Sequence, residues 1–148
     1  MVSSRGQSKG CLATFVERKT RLYVAIKMND RSKDSMFFAI TSLYNTLTSK
    51  LLKTFTVDRG KEFACFEQVE TEFGIPMYFA DAYAAWQRGS NENSNGLLRE
   101  FFPKKTDLAK VTLDKLTEAL MLINNRPRKC LGFKTPFDMF KHEIKKLI

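Results

Sequence analysis

Cys11-Leu12-Ala13-Thr14-Phe15-Val16, then Glu17-Arg18-Lys19-Thr20-Arg21, then Tyr23-Val24-Ala25-Ile26-Lys27-Met28 is the stretch from which the fold is read. Two apolar runs rich in β-branched and aromatic residues flank a short charged segment, which predicts a β-hairpin with a basic turn. Immediately afterwards the period changes. Met36, Phe37, Ile40, Leu43, Tyr44 and Leu47 recur at the i, i+3, i+4 spacing of an amphipathic helix, with Ser32 or Asp34 available to cap its start. Further along, Lys53–Val57 reads as a strand ending at Asp58, Glu62–Phe73 as a helix stopped by Gly74, and Ile75–Ala80 as a short strand. Asp81–Gly89 reads as a loop. Helices are expected from about Ser90 to Phe102, from Thr112 to Asn124, and from Thr135-Pro136 onward. Strands alternating with helices after an antiparallel start indicate an α/β layer architecture.

Composition sets the bounds. The chain has 148 residues, 43% of them hydrophobic, with 13 Phe, enough for one domain with a real core. No uncharged run is long or apolar enough to span a bilayer, and no secretion signal opens the chain. Three cysteines, Cys11, Cys65 and Cys130, show no metal-ligand spacing and fit a reduced, cytoplasmic interior. The net charge of +9 points to a polyanionic partner. That charge is uneven: residues 1–33 carry +6, residues 34–125 carry −2 and residues 126–148 carry +5. A mildly acidic centre between basic ends fits a domain that gathers carboxylates internally and meets nucleic acid at its flanks.

Two segments carry chemistry. Asp58-Arg59-Gly60-Lys61-Glu62 puts an acid at the carboxyl end of a predicted strand, where ligands gather in open α/β sheets. An acid there also serves as a turn or helix cap. The second segment is Trp86-Gln87-Arg88-Gly89-Ser90-Asn91-Glu92-Asn93-Ser94-Asn95-Gly96, which leads into Leu97-Leu98-Arg99-Glu100-Phe101-Phe102. Three Asn and a Gly are poor helix formers, so helix stability alone does not account for them. On a helical wheel Glu92, Asn95 and Arg99 share one face, and Leu97, Leu98 and Phe101 point the other way. Asp58 and Glu92, two carboxylates beside cations, suggest a Mg²⁺ site (or Mn²⁺), since such ions take one or two protein carboxylates plus substrate phosphate.

Thr14–Arg21, Asp58–Glu62, Gln87–Gly96 and Asn124-Asn125-Arg126-Pro127-Arg128-Lys129 together resemble bacterial insertion-sequence transposases. The resemblance is to the group named after insertion sequence 30, in the DDE superfamily that includes retroviral integrases. It covers almost the whole chain, and 33 residues separate Asp58 from Glu92, the spacing between the second and third catalytic acids of that group. It implies an RNase H-like mixed sheet flanked by helices, two divalent ions, and cleavage and joining of transposon DNA ends through a 3′-hydroxyl nucleophile. It also implies that Asp58 and Glu92 are the catalytic acids and metal ligands. Lys61, Trp86, Arg88, Asn91, Asn95, Arg99, Arg126, Arg128 and Lys129 are the expected DNA contacts.

Further expectations follow from the same resemblance. Residues 1–148 form a single catalytic core domain, truncated ahead of the strand that carries the first catalytic Asp. The sheet accordingly lacks its first central strand, and the hairpin carries an exposed edge. The chain works in a bacterial cytoplasm on transposon ends and target DNA, as a homo-oligomer in a synaptic complex, without a membrane or a small-molecule substrate. Without the first acid it is expected to be inactive as it stands. The alternative is a catalytically inactive remnant that only binds DNA or a partner transposase. Ala82 and Ala85 replace prolines usual in the loop before Trp86.

Overall fold

The computed structural model describes residues 1–81 and 89–147. Strand β1 (Val2–Ser3) leads to β2 (Cys11–Val16) and β3 (Tyr23–Met28), then α1 (Lys33–Leu51) and β4 (Phe55–Val57). A 3₁₀ turn (Lys61–Cys65) runs into α2 (Phe66–Phe73), followed by β5 (Met77–Phe79), α3 (Gly89–Phe101), α4 (Leu113–Asn124) and α5 (Pro136–Leu147). The hairpin forms with the boundaries expected, in the register Cys11↔Met28 to Val16↔Tyr23. Glu17 shapes its turn, accepting the Lys19 and Thr20 N–H groups on its carboxylate.

The helix starts follow local chemistry. Ser32 rather than Asp34 caps α1, its hydroxyl accepting the Ser35 N–H at 3.1 Å. Thr112 caps α4 and Thr135 caps α5 in the same way. The helix expected over residues 62–73 divides at Cys65 into a 3₁₀ turn and α2. Gly74 then ends α2 with φ of 65°, a conformation that glycine adopts without a Cβ penalty.

The apolar residues sort into two clusters on opposite faces of the sheet. Cys11, Ala13, Met36, Ile40, Leu43, Phe55, Val57 and Val69 are buried on the side of α1 and α2. Leu12, Tyr23, Leu98, Leu116 and Ile123 are buried on the side of α3 and α4. Neighbours Cys11 and Leu12 thus belong to different clusters, the period-2 alternation of a strand with both faces covered. The result is a helix–sheet–helix sandwich. Its sheet is split: β1-β2-β3 form one antiparallel ladder and β4-β5 a separate parallel pair. A groove of about 560 Å³ lies between β2 and β4. Among the described residues, no helix is long and apolar enough to cross a membrane.

Candidate active site

Asp58 follows β4 directly, half-buried, and its Oδ1 accepts the Gly60 N–H at 2.9 Å. That short turn fixes the carboxylate at the strand end and sends the chain into the 3₁₀ turn. The next acid is different in kind. Glu62 is 1% exposed and pairs through Oε2 with Arg31 Nε at 2.9 Å. A Cβ at Gly60 would lie 2.6 Å from that carboxylate, so the glycine leaves room for the pair. Asp30 is also engaged: it accepts the Ser35 hydroxyl at 2.7 Å, and the Ser32 and Ser35 hydroxyls hold its carboxyl below the usual range.

Glu92 lies exposed in the first turn of α3, where a carboxylate suits the helix dipole. The helix is held by Leu98, fully buried, and Ser94. Its neighbours Ser90 and Asn91 line the groove into which Asp58 also opens, so the first turn of α3 and the end of β4 share one cleft. Ser90 accepts a hydrogen bond from Arg21, and Asn91 Oδ1 accepts one from Thr14 Oγ1 at 3.4 Å. Among the described residues, no three His, Cys, Asp or Glu side chains converge as a metal-binding group. Asp58 and Glu92 are oxygen donors of the kind that suits magnesium, and both stand at the ends of elements that reach this cleft.

The expected DNA-contacting residues divide by their internal bonds. Lys61 is exposed. Asn95 accepts the Tyr23 hydroxyl at 2.6 Å, and burial pushes that phenol well above its ordinary range. Arg99 donates to the Ser3 carbonyl at 2.8 Å and reaches the Phe102 and Pro103 carbonyls, tying the end of α3 to β1. Burial, and then the nearby Arg5, lower its pKa. Arg126 makes an exposed pair with Glu100 at 3.2 Å. Arg128 donates through Nη2 to the Ile123 carbonyl at 3.4 Å, and burial lowers its pKa, with Arg126 adding like-charge repulsion. Lys129 opens a 3₁₀ turn. Trp86, Arg88, Ala82 and Ala85 lie outside the described residues.

Two features were not singled out from sequence. Asn124 is buried and makes a two-point bond with the β3 backbone, accepting the Tyr23 N–H at 2.9 Å and donating to the Tyr23 carbonyl at 2.8 Å. Arg5, Lys9, Arg31 and Lys61 surround a second hollow of about 480 Å³ on the Ser3 side. The signal for Arg5, Lys9 and Arg31 was the charge of the first 33 residues, which does not say that they converge with Lys61.

Known proteins place this geometry in context. The chain is 40% identical over 139 residues to the transposase of insertion sequence element IS30A of Escherichia coli (strain K12), covering 94% of this chain and 36% of that protein. It is 37% identical to the transposase of insertion sequence element IS4351 of Bacteroides fragilis, over 92% of this chain and 41% of the relative. The chain therefore spans well under half the length of these relatives. Searched against family models, it matches none. Among solved structures, the catalytic core domain of BIV integrase superposes with a TM-score of 0.70 at 18% identity, over 94% of this chain and 97% of that one. The catalytic core domain of HTLV-2 integrase in complex with magnesium gives a TM-score of 0.67 at 20% identity, over 90% and 86% of the two chains. The fold is that of an integrase catalytic core, RNase H-like as the family resemblance implied.

Proposed function

Because the chain is a relative of the insertion-sequence transposases, the IS30 group among them, we propose that residues 1–148 form the core of a DNA strand-transfer enzyme. The observation that carries this reading is the cleft shared by Asp58 and the first turn of α3, at the carboxyl end of β4. Asp58 and Glu92 are the catalytic acids and would hold Mg²⁺ or Mn²⁺. The ion, when bound, supplies positive charge to phosphate oxygens during attack by a 3′-hydroxyl. The protein's own part is positional: the Gly60 N–H orients the Asp58 carboxylate, and the first turn of α3, which carries Glu92, reaches the same cleft. Lys61 meets the phosphodiester backbone, Trp86 and Arg88 are further DNA contacts, and Asn91 and Asn95 hold DNA near the acids. Arg99, Arg126, Arg128 and Lys129 add positive charge along the flank.

The same reading makes these residues a single catalytic core domain that works on transposon ends and target DNA in a bacterial cytoplasm, assembled with further copies. It gives the chain two of the three carboxylates that a pair of ions requires, so residues 1–148 alone bind metal weakly and do not join DNA ends. Titration of Mn²⁺ into wild type, Asp58→Asn and Glu92→Gln tests the assignment, with weaker binding expected in both variants. Equal binding by all three proteins removes these acids from the site. Measurable end joining by residues 1–148 alone overturns the two-carboxylate reading, and extension with an Asp-bearing strand should bring activity that Glu92→Gln abolishes.

A further inference from the structure

Between α4 and α5 the chain makes a tight, basic loop. Arg128 and Lys134 bridge each other in antiparallel fashion, the Arg128 N–H donating to the Lys134 carbonyl at 3.0 Å. Inside that bridge a 3₁₀ turn covers Lys129–Leu131. The Leu131 and Phe133 N–H groups close back on the Arg128 carbonyl at 3.0 and 2.8 Å, and the Gly132 N–H on that of Lys129 at 3.1 Å. Both ends are tied to helices. Arg128 Nη2 reaches the Ile123 carbonyl in α4, and Thr135 caps the start of α5. The loop is one hydrogen-bonded unit, so its tip has a set direction.

At that tip stands Phe133, 70% exposed. Its φ is 66°, and that of Gly132 before it is 63°. Left-handed backbone suits Gly or Asn and costs a residue that carries a larger side chain. An exposed phenyl also forgoes the gain of burial. Folding alone would favour Gly or Asn at this position, which points to contact with something outside the domain. A single exposed apolar residue is by itself ordinary. Phe38 is as exposed, but it lies within α1, with Asp34 and Ser42 one turn away on its own face. Phe133 differs in its surroundings: Lys129 and Lys134, both exposed, belong to the same loop, and Arg126 and Arg128 lead into it. The Arg128 guanidinium stands within electrostatic reach of Arg21. Arg21 in turn donates to Ser90 in the first turn of α3, the turn that carries Glu92. The loop is thus continuous, through cations, with the start of α3.

We propose that Phe133 is a stacking platform for an unpaired base of DNA, with Lys129 and Lys134 holding the phosphates on either side of that base. This rests on the DNA reading above and adds to it a preference for single-stranded segments over continuous duplex. Stacking of this kind is tolerant of sequence, because every base offers a π-face, and it works with cations that track the backbone. The fixed loop suits the task, since little freedom remains to be lost when a base settles on the ring.

The test measures the anisotropy of three fluorescein-labelled DNAs with the 148-residue chain at low salt. They are a duplex ending in a single-stranded thymine run, the same duplex with that run abasic, and the blunt duplex. The abasic run keeps the phosphates and loses the bases. Wild type should bind the thymine end about tenfold or more tighter than the abasic end. Phe133→Trp should keep that preference, whereas Phe133→Ala and Phe133→Leu should lose it and bind the blunt duplex as wild type does. Phe133→Gly suits the left-handed backbone, so it should melt close to wild type and lose the preference as well. Lys129→Ala and Lys134→Ala should weaken both overhangs alike and flatten the salt dependence. Equal binding of the thymine and abasic ends by wild type, or a preference kept by Phe133→Ala, overturns the proposal and leaves the DNA reading in place. A Phe133→Ala protein changed only in its association state overturns it too, assigning the ring to a protein contact. Failure of wild type to bind any of these DNAs overturns the DNA reading with it.

Discussion

Replacing Asn124 by Ala should destabilise the protein far more than an ordinary surface change, because this one side chain stands in for a missing neighbour strand. β3 is the outer strand of its ladder, so its outward peptide groups need partners from elsewhere. At Tyr23, which is 1% exposed, both are supplied by Asn124, with the amide oxygen taking the N–H and the amide nitrogen meeting the carbonyl. Alanine removes both partners and leaves a donor and an acceptor buried, each at about 1–3 kcal/mol. The expected loss is about 2–5 kcal/mol, several-fold above a surface substitution. At about 2–4 °C per kcal/mol for a domain of this size, melting falls by roughly 5–15 °C. Asn124→Asp keeps the acceptor but turns a carboxylate oxygen toward the Tyr23 carbonyl, so it should do no better. Asn125→Ala is the control: its amide donates to the Met121 carbonyl from an exposed position and should cost under about 0.5 kcal/mol. Urea unfolding of the three variants measures this. An Asn124→Ala protein within about 1 kcal/mol of wild type would refute the reasoning, showing that water or a shift of β3 satisfies the Tyr23 groups.

Other consequences follow from charges and thiols. Arg31→Ala strands the buried Glu62 carboxylate and should cost about 1–3 kcal/mol, discounted because Arg31 itself is half exposed, whereas Arg126→Ala should cost under about 1 kcal/mol; equal effects in urea unfolding would contradict the distinction. Burial, followed by Asp30 and Glu62, pushes the Cys11 thiol up to about 11, and burial raises Cys65, so iodoacetamide at pH 8 should label exposed Cys130 well before either. Rapid labelling of Cys11 in the native protein, read by mass spectrometry, would speak against its burial. Asp30, Asp107 and Glu143 are held below their ordinary range, chiefly by hydrogen bonds from Ser32, Ser8 and Lys19 respectively. Their contribution is present above the unfolded carboxylate range and lost as pH falls through the lowered native values. The melting temperature should therefore decline below about pH 4; a flat profile there would exclude any net stabilisation from these bonds. Non-specific duplex binding should weaken steeply between 50 and 200 mM salt, as counterion release requires, and a salt-independent affinity would remove the electrostatic account.

Much of this was local and therefore legible in the sequence. The hairpin, α1, α4 and α5 follow from period, caps and charged turns, which each segment carries within itself. The position of Asp58 at a strand end was equally local, since it needed only Phe55-Thr56-Val57 before it and Gly60 after it. The family motif was legible because its residue types recur in order along the chain. What lay beyond reach was every property that depends on who faces whom. The wheel of α3 grouped Asn95 and Arg99 with Glu92 as an open polar face, yet Asn95 reaches Tyr23 from 72 residues away and Arg99 reaches Ser3 from 96 away. Asn124 read as part of a motif, and only the approach of α4 to β3 makes it the clamp on Tyr23. Glu62 read as the first residue of a helix, and only the approach of Arg31 makes it half of a buried ion pair. The open edge of the hairpin was expected from the family resemblance and not from the pattern of β2 itself, because a strand's pattern records which of its faces is buried and not which of its edges has a partner. Local propensity and periodicity are encoded residue by residue, whereas pairing of edges and burial of polar groups are decided only when the layers meet.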